Sequence, residues 1–240
     1  MDVTRRLFGL DGRSAAVVGA TPVGAATVRL FEEAGARALL LPTVHEGDGE
    51  ALDPCDEAAV GARLDALMAE QDGLDVFVYA VTTPGTYPFG EMTLAQWDRL
   101  QAANLRGAFV CLREAVRRMV PRGGGRLVAV STMGALHPVL NGNAAYGASK
   151  AGLNAMVRSI ALDHAADGIR ANALLCGAVP VGPAPPDAGR SAGPAFQPGR
   201  LMLGMAEPEA MAAAVLYLAS PAGGFITGQS LVADGGFLIS

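Results

Sequence analysis

The 240-residue sequence predicts an α/β fold, a single parallel sheet doubly wound with helices on both faces. Three observations carry that expectation. Short apolar runs alternate along the chain with stretches of helical periodicity, the pattern of stacked βαβ units. The runs are apolar at nearly every position, as strands covered on both faces are. A glycine-flanked turn, G-A-T-P-V-G at Gly19–Gly24, joins the first run to the first helix. Folds of this class bind pyrophosphate there, on backbone N–H groups at a helix N-terminus.

Ser14–Val18 is the first strand, closed by Gly19. Val23–Ala34 places Ala26, Leu30 and Phe31 at helical spacing, with Gly35 at its C-terminus. Ala36–Leu41 is the second strand, stopped by Pro42. Asp56–Gln71 reads as a helix and Leu74–Val81 as a strand. A long helix, Leu94–Val120, ends at Pro121 and three glycines. Arg126–Ser131 is a strand, Ala144–Ala166 a helix and Ile169–Leu175 a strand. Pro208–Ala219 is the last helix and Ser230–Ala233 the last strand. No domain boundary or repeat interrupts the series, so residues 1–240 are expected to form one domain. Gly177–Gly204 breaks the rhythm, crowded with Pro and Gly. A structureless stretch of that length is usually a functional lid or a mobile segment.

Composition narrows the function. Hydrophobic residues make up 51% and charged residues 17%, against about 25% charged in ordinary domains. That indicates extensive burial, with room for subunit contacts. A net charge of −5 without any basic run argues against nucleic acid. Arg113, Arg117, Arg118 and Arg122 recur at helical spacing and read as a solvated face. Cys55, Cys111 and Cys176 are odd in number and widely spaced. They read as thiols of a reducing compartment, with no disulfide framework or metal site. The N-terminus lacks the apolar stretch of a signal peptide, and no window reaches membrane-spanning length. A cytoplasmic protein is expected.

Within N-A-A-Y-G-A-S-K-A-G, Asn143–Gly152, Tyr146 and Lys150 stand four apart and share one helix face. A free Tyr titrates near ~10. A fixed positive charge within a few ångströms lowers that value, which makes the pair a candidate general acid/base. In an arbitrary helix such a pair is usually a packed ring beside a solvated cation. Here Lys150 is the only lysine in the chain, the rest of the 18 basic residues being arginine. Lysine is a compact donor that can reach a sugar hydroxyl and tune a neighbour, so the functional reading leads.

Further motifs give the chain a resemblance to the short-chain dehydrogenase/reductase family along nearly its whole length. They are N-L-R-G-A-F at Asn104–Phe109, Y-G-A-S-K at Tyr146–Lys150, I-R-A-N-A at Ile169–Ala173, F-I-T-G-Q, and D-G-G near the C-terminus. The resemblance implies a Rossmann-type fold and NAD(P)(H) as cofactor. It makes Tyr146 the general acid/base and Lys150 the holder of the nicotinamide ribose, with Asn104 supporting Lys150 through water. A hydroxyl in Ser131–Thr132 would hold the substrate carbonyl. Thr132 has the better register and Ser131 the better chemical match, and the choice stays open. By position, the implied cofactor contacts are Gly19, Thr21, Val23 and Gly24 in the first turn, and Thr43 after the second strand. Asp53 would lie at the adenine, Ala80 after the third strand, and Gly177 and Val179 after the fifth.

The cofactor side departs from the family pattern. The phosphate turn is one residue shorter, with Pro22 in place of the middle glycine, and proline has no N–H to donate. The family's N-N-A-G appears as Tyr79-Ala80-Val81-Thr82, which is expected to put a large ring and a β-branched side chain beside the cofactor. The second strand ends Leu41-Pro42-Thr43, with neither the acid that favours NAD nor the arginine that favours NADP. The P-G after the sixth strand of the family is Cys176-Gly177. Cofactor binding is therefore expected to be weakened, with NAD versus NADP undecided.

His137, Asn141 and Asn143 lie in the loop that lines the substrate pocket in relatives. They orient a polar substrate or, for the asparagines, form turns. Phe196, Leu201, Met202 and Met205 suit a bulky apolar ligand or anchor the flap. The expected function is NAD(P)-dependent reduction of a carbonyl, or oxidation of an alcohol, on a fairly bulky, largely apolar small molecule. The alternatives are a redox-neutral enzyme on the same scaffold and a non-catalytic partner subunit. The resemblance also implies a homotetramer or homodimer built through the two long helices.

Overall fold

The computed structural model describes residues 2–46, 51–180 and 192–240. Six parallel strands form one sheet: β1 (Ser14–Val18), β2 (Arg37–Leu41), β3 (Val76–Tyr79), β4 (Gly125–Thr132), β5 (Ile169–Cys176) and β6 (Ser230–Ala233). Their order is β2-β1-β3-β4-β5-β6. The central strands β1 and β3 are buried at every position, which is why they read as unbroken apolar runs.

Helices cover both faces, so the fold is the doubly wound Rossmann type. On one face lie α2 (Pro22–Glu33) and α7 (Pro208–Ala219), packed on Val17, Val78, Val128 and Leu174. On the other lie α3 (Glu57–Gln71), α5 (Gly107–Met119) and α6 (Ala144–Asp163), packed on Ala16, Phe77, Leu127 and Ala173. Neighbouring strand residues thus alternate between two cores. A short helix α1 (Val3–Phe8), not expected from the sequence, precedes β1.

The helices start where local chemistry satisfies their free N–H groups. Thr21 caps α2, with Pro22 at its first position, where the missing N–H costs nothing. Asp56 caps α3 by accepting the Ala59 N–H at 3.0 Å. Helix α4 (Leu94–Gln101) opens on a capping box of Thr93 and Gln96.

Two expectations need correction. The helix expected over Leu94–Val120 is interrupted by a π-helical turn at Ala102–Arg106, which separates α4 from α5. Such turns are rare and cluster at functional sites. The arginines are a solvated face only in part: Arg117 and Arg122 are exposed, Arg113 and Arg118 are not. Glu114 lies on α5 almost wholly buried, bonded to Arg117 and to Arg118 at 2.7 Å each. Arg118, only 15% exposed, also reaches Asp65 at 2.8 Å and so ties α5 to α3.

Candidate active site

The strand order reverses between β1 and β3, since the chain leaves β1 for β2 on one side and returns to β3 on the other. A crevice at the carboxyl ends of the strands is expected at such a switch point. Gly19 turns out of β1 with φ of 111°. A Cβ there would lie 2.6 Å from the Val81 nitrogen, and one on Gly24 would lie 2.0 Å from the Gly19 oxygen. The turn and α2 therefore press directly on the strand ends, and only glycine fits either place. The Thr21 hydroxyl accepts the Gly24 N–H at 3.1 Å and donates to the Ala80 carbonyl at 3.2 Å.

Glu46 supplies a carboxylate that sequence reasoning missed. Its Oε2 accepts the Ala20 N–H at 2.6 Å and the Thr43 N–H at 3.0 Å, bridging the first turn to the end of β2. Beside it, Thr43 Oγ1, His45 Nε2 and Glu46 Oε1 are all buried without a hydrogen-bond partner. Among the described residues these three polar atoms, close together in the chain, have no partner and leave room for a polar ligand. Asp53 is exposed nearby, and its Oδ1 accepts the Cys55 N–H at 2.8 Å. Burial lowers the His45 pKa, opposed by the charges of Asp53 and Glu46.

These residues fit a dinucleotide. Side chains at Gly19 and Gly24 would fill the cradle, and an acid about twenty residues past the turn is where a ribose hydroxyl is normally met. The fit is tight at the turn, because Ala20 and Gly24 have already given their N–H groups to the chain's own oxygens and Pro22 has none.

The candidate pair, Tyr146 and Lys150, comes to the same ends of the strands from α6. Tyr146 is half-buried in the first turn of α6, and the Thr82 and Thr132 side chains lie near enough to its hydroxyl to influence its ionisation. Burial raises its pKa, the Cys176 thiol group adds to the rise, and the two threonines oppose it. The expected lowering by Lys150 is not what this arrangement gives. Lys150 is fully buried, and its Nζ donates to the Val81 carbonyl at 2.8 Å and the Val130 carbonyl at 2.9 Å. Burial pushes its pKa down to about 7. The ammonium is therefore held on the carboxyl ends of β3 and β4.

The hydroxyl left open by the sequence separates by geometry. Thr132 Oγ1 accepts the Gly134 N–H at 3.1 Å and also meets Tyr146. Ser131, one residue back on the strand and so on its other face, has a buried Oγ with no partner among the described residues. Asn104 sits fully buried in the π-helical turn. Its Oδ1 accepts the Thr83 N–H and its Nδ2 donates to the Thr83 carbonyl, both at 2.9 Å. This clamp fixes the segment that carries Thr82, a residue read from the sequence only as an obstruction.

Tyr79 corrects another expectation. Its ring is fully buried under α5 and its hydroxyl donates to the Ala103 carbonyl at 2.6 Å, so it does not stand in the crevice. The alternation of β3 turns Tyr79 into one core and Ala80 toward α2 on the other side. Gly177 donates its N–H to the Ala233 carbonyl at 2.9 Å, and Val179 packs at the edge of the core beside α7.

Of the stretch Gly177–Gly204, residues 181–191 lie outside the described residues. Beyond them Gly193 packs on the backbone of Leu140 and Asn141, and Leu201 joins Met133, Val139 and Phe237 in a small apolar cluster. Leu201 is thus an anchor, whereas Phe196, Met202 and Met205 are exposed. The His137 ring meets Phe237 edge to face, with centroids 6.5 Å apart. A cleft of about 440 Å³ beside the start of α6 is lined by Phe89, Leu136, Pro138 and Leu140, and by neither Tyr146 nor Thr132.

Comparison with known proteins gives this geometry a family. A family model described as Enoyl-(Acyl carrier protein) reductase matches residues 19–238. The chain is 36% identical to a cis-4-hydroxycyclohexanecarboxylate dehydrogenase of Sinomonas cyclohexanicum, over 94% of this chain and 96% of that one. It is 32% identical to a D-threitol dehydrogenase of Mycolicibacterium smegmatis, over 97% and 95% of the two chains. Among solved structures, a dehydrogenase/reductase from Sinorhizobium meliloti 1021 superposes with a TM-score of 0.85 at 28% identity, covering 98% of each chain. The chain belongs to the short-chain dehydrogenase/reductase family and is an oxidoreductase of that family. Among the described residues, no helix is long and apolar enough to cross a membrane, and no group of side chains could hold a metal ion.

Proposed function

We propose that the protein interconverts an alcohol and a carbonyl on a small molecule with NAD(H) as redox partner. The observation that carries this is the grouping of Tyr146 with the Thr132 and Thr82 side chains, which favour its ionised form, and with Lys150 buried one turn along the same helix. A bound nicotinamide supplies the hydride exchange. Tyr146 gives a proton to the substrate oxygen in reduction and takes it in oxidation. Thr132 donates a hydrogen bond to that oxygen as charge develops on it. Lys150, with two of its N–H groups on the Val81 and Val130 carbonyls, holds the nicotinamide ribose with the third. Asn104 holds Thr82 in position through Thr83 and acts as a positioning residue.

Glu46 makes NAD(H) the preferred form. A carboxylate with one unpartnered oxygen accepts a ribose hydroxyl and repels a 2′-phosphate. At the turn fewer N–H groups remain for the pyrophosphate, so affinity rests more on the ribose ends than in an unshortened turn. Substrates of the relatives include a cyclic hydroxy acid and linear polyols, which sets the first screen. An apolar groove of about 530 Å³ between α5 and α6, with Phe109, Met156 and Ile160, is the surface on which two copies pair.

The occupied N–H groups of Ala20 and Gly24 favour a second reading, redox-neutral acid–base chemistry at the same Tyr146. Titration with NADH and NADPH, followed by nicotinamide fluorescence, separates the two. Saturable NADH binding, then turnover of cyclic alcohols or polyols that Tyr146→Phe abolishes, supports the oxidoreductase. No binding of either form by folded protein removes it.

A further inference from the structure

At the opposite pole, where the strands begin, a cavity of about 370 Å³ opens between the ends of β3 and β4 and the C-terminal end of α7. That volume falls within the usual range of small-molecule sites, about 300–1,000 Å³. Arg13, Arg122 and Arg126 line it, with Asp75 as a lining carboxylate. Arg170 stands close enough behind to repel Arg126.

The ordinary explanation is that arginines here complement helix C-termini. For two of them it holds. Arg122 donates to the Asp72 carbonyl at 2.7 Å, and Arg170 donates to the carbonyls of Gly224, Ala165 and Ile169. Arg13 is paired with Asp75 at 2.7 Å, and the second oxygen of Asp75 accepts the Ser14 N–H. Arg126 differs. It is half-buried, the second residue of β4; its guanidinium makes no hydrogen bond or ion pair among the described residues, and its pKa is lowered by burial and by both Arg170 and Arg13. Three guanidinium groups line the cavity against one carboxylate, Asp75. The floor is backbone, because Gly124 and Gly168 have positive φ and a Cβ on Gly124 would lie 2.3 Å from the Gly168 backbone. A charge left unpaired in a concave, backbone-floored site has its cost relieved by a bound counter-ion.

We infer that this cavity binds a small phosphate-class dianion, free or as a monoester, with Arg126 as the principal contact and Arg13 at the rim. Planar guanidinium groups meet such oxygens with two hydrogen bonds. The site is separate from the dinucleotide crevice, on the other side of the sheet's length.

The test is thermal unfolding in phosphate-free buffer, with added inorganic phosphate against sodium chloride of equal ionic strength. A ligand that binds only the folded state raises the midpoint saturably. The expected result is a saturable rise with phosphate and none with chloride, unchanged by NADH. Arg126→Gln should weaken the apparent phosphate affinity about tenfold or more while leaving NADH binding intact. Arg13→Gln, at the exposed rim, should weaken it less and serves if the first variant does not fold. Glycerol 3-phosphate in place of phosphate shows whether a monoester fits: tighter binding names the ester, equal or weaker binding the free anion. An equal rise with chloride, a phosphate effect that NADH competes away, or full binding by folded variants overturns the inference.

Discussion

The Glu46 carboxylate accepts the Ala20 N–H at 2.6 Å, tying the turn after β1 to the segment after β2. One side chain thereby takes a donor of the phosphate turn and places an acid where the end of β2 has none. Glu46→Gln should weaken NADH more than NADPH, and Glu46→Arg should invert the preference, read as Kd by fluorescence titration. Equal effects on both dinucleotides would show that Glu46 only braces the turn.

The two candidate hydroxyls differ by their place on β4, so their substitutions should differ. Thr132→Val is expected to lower kcat by about 10²–10³, the cost of one oxyanion donor, with little change in NADH affinity. Ser131→Ala should leave kcat nearly unaltered. The reverse pattern, with both proteins folded, would transfer the role to Ser131.

Burial raises the Tyr146 phenol above its ordinary value of about 10. In the ligand-free protein its ring carbon signal should therefore stay in the neutral form through pH 10 by NMR of labelled tyrosine. Thr82→Val removes a hydroxyl that favours the phenolate and should push the transition further up. A ligand-free transition near pH 7 would mean that Lys150 does reach the phenolate.

Lys150 carries a stability prediction of definite sign. Its folded pKa is lowered to about 7 from 10.5. Between those values the unfolded chain keeps a proton that the folded chain has released, so this residue makes stability rise with pH across that window. Denaturant unfolding should show the wild type gaining stability relative to Lys150→Met from pH 7 to pH 10. A difference independent of pH would place the ammonium charged and satisfied on its two carbonyls.

Glu114 joins α5 to α3 through Arg118, while Arg117 lies open to solvent. Glu114→Ala should cost about 2 kcal/mol by urea unfolding, less than the ~3–5 of a wholly buried pair because one partner stays hydrated. Glu57→Ala, on the exposed edge of the same network, should change stability by less than about 1 kcal/mol. Similar losses for both would make the network cooperative.

Much of the fold was legible in the sequence because it rests on local periodicity. All six strands and the α2, α3, α6 and α7 helices fall where apolar runs and helical spacing put them. The interruption at Ala102–Arg106 was not, since nothing in A-A-N-L-R departs from a helical pattern. The extra residue is accommodated where Asn104 bonds both backbone groups of Thr83, a partner twenty-one positions away.

The sequence by itself determined the chemistry on offer: one lysine four residues after a tyrosine, glycines where the first turn must touch the strands, and a strand end bearing two hydroxyls. Tertiary structure decided which groups meet. The alternation of β4 sent Thr132 to Tyr146 and Ser131 away, and that of β3 buried Tyr79 in the core. Lys150 was drawn onto two strand carbonyls and Glu46 folded back onto Ala20. The physical reason is the same in each case. Hydrogen bonds and burial act over ångströms between residues far apart in the chain, and sequence spacing fixes such distances only within a single helix or strand.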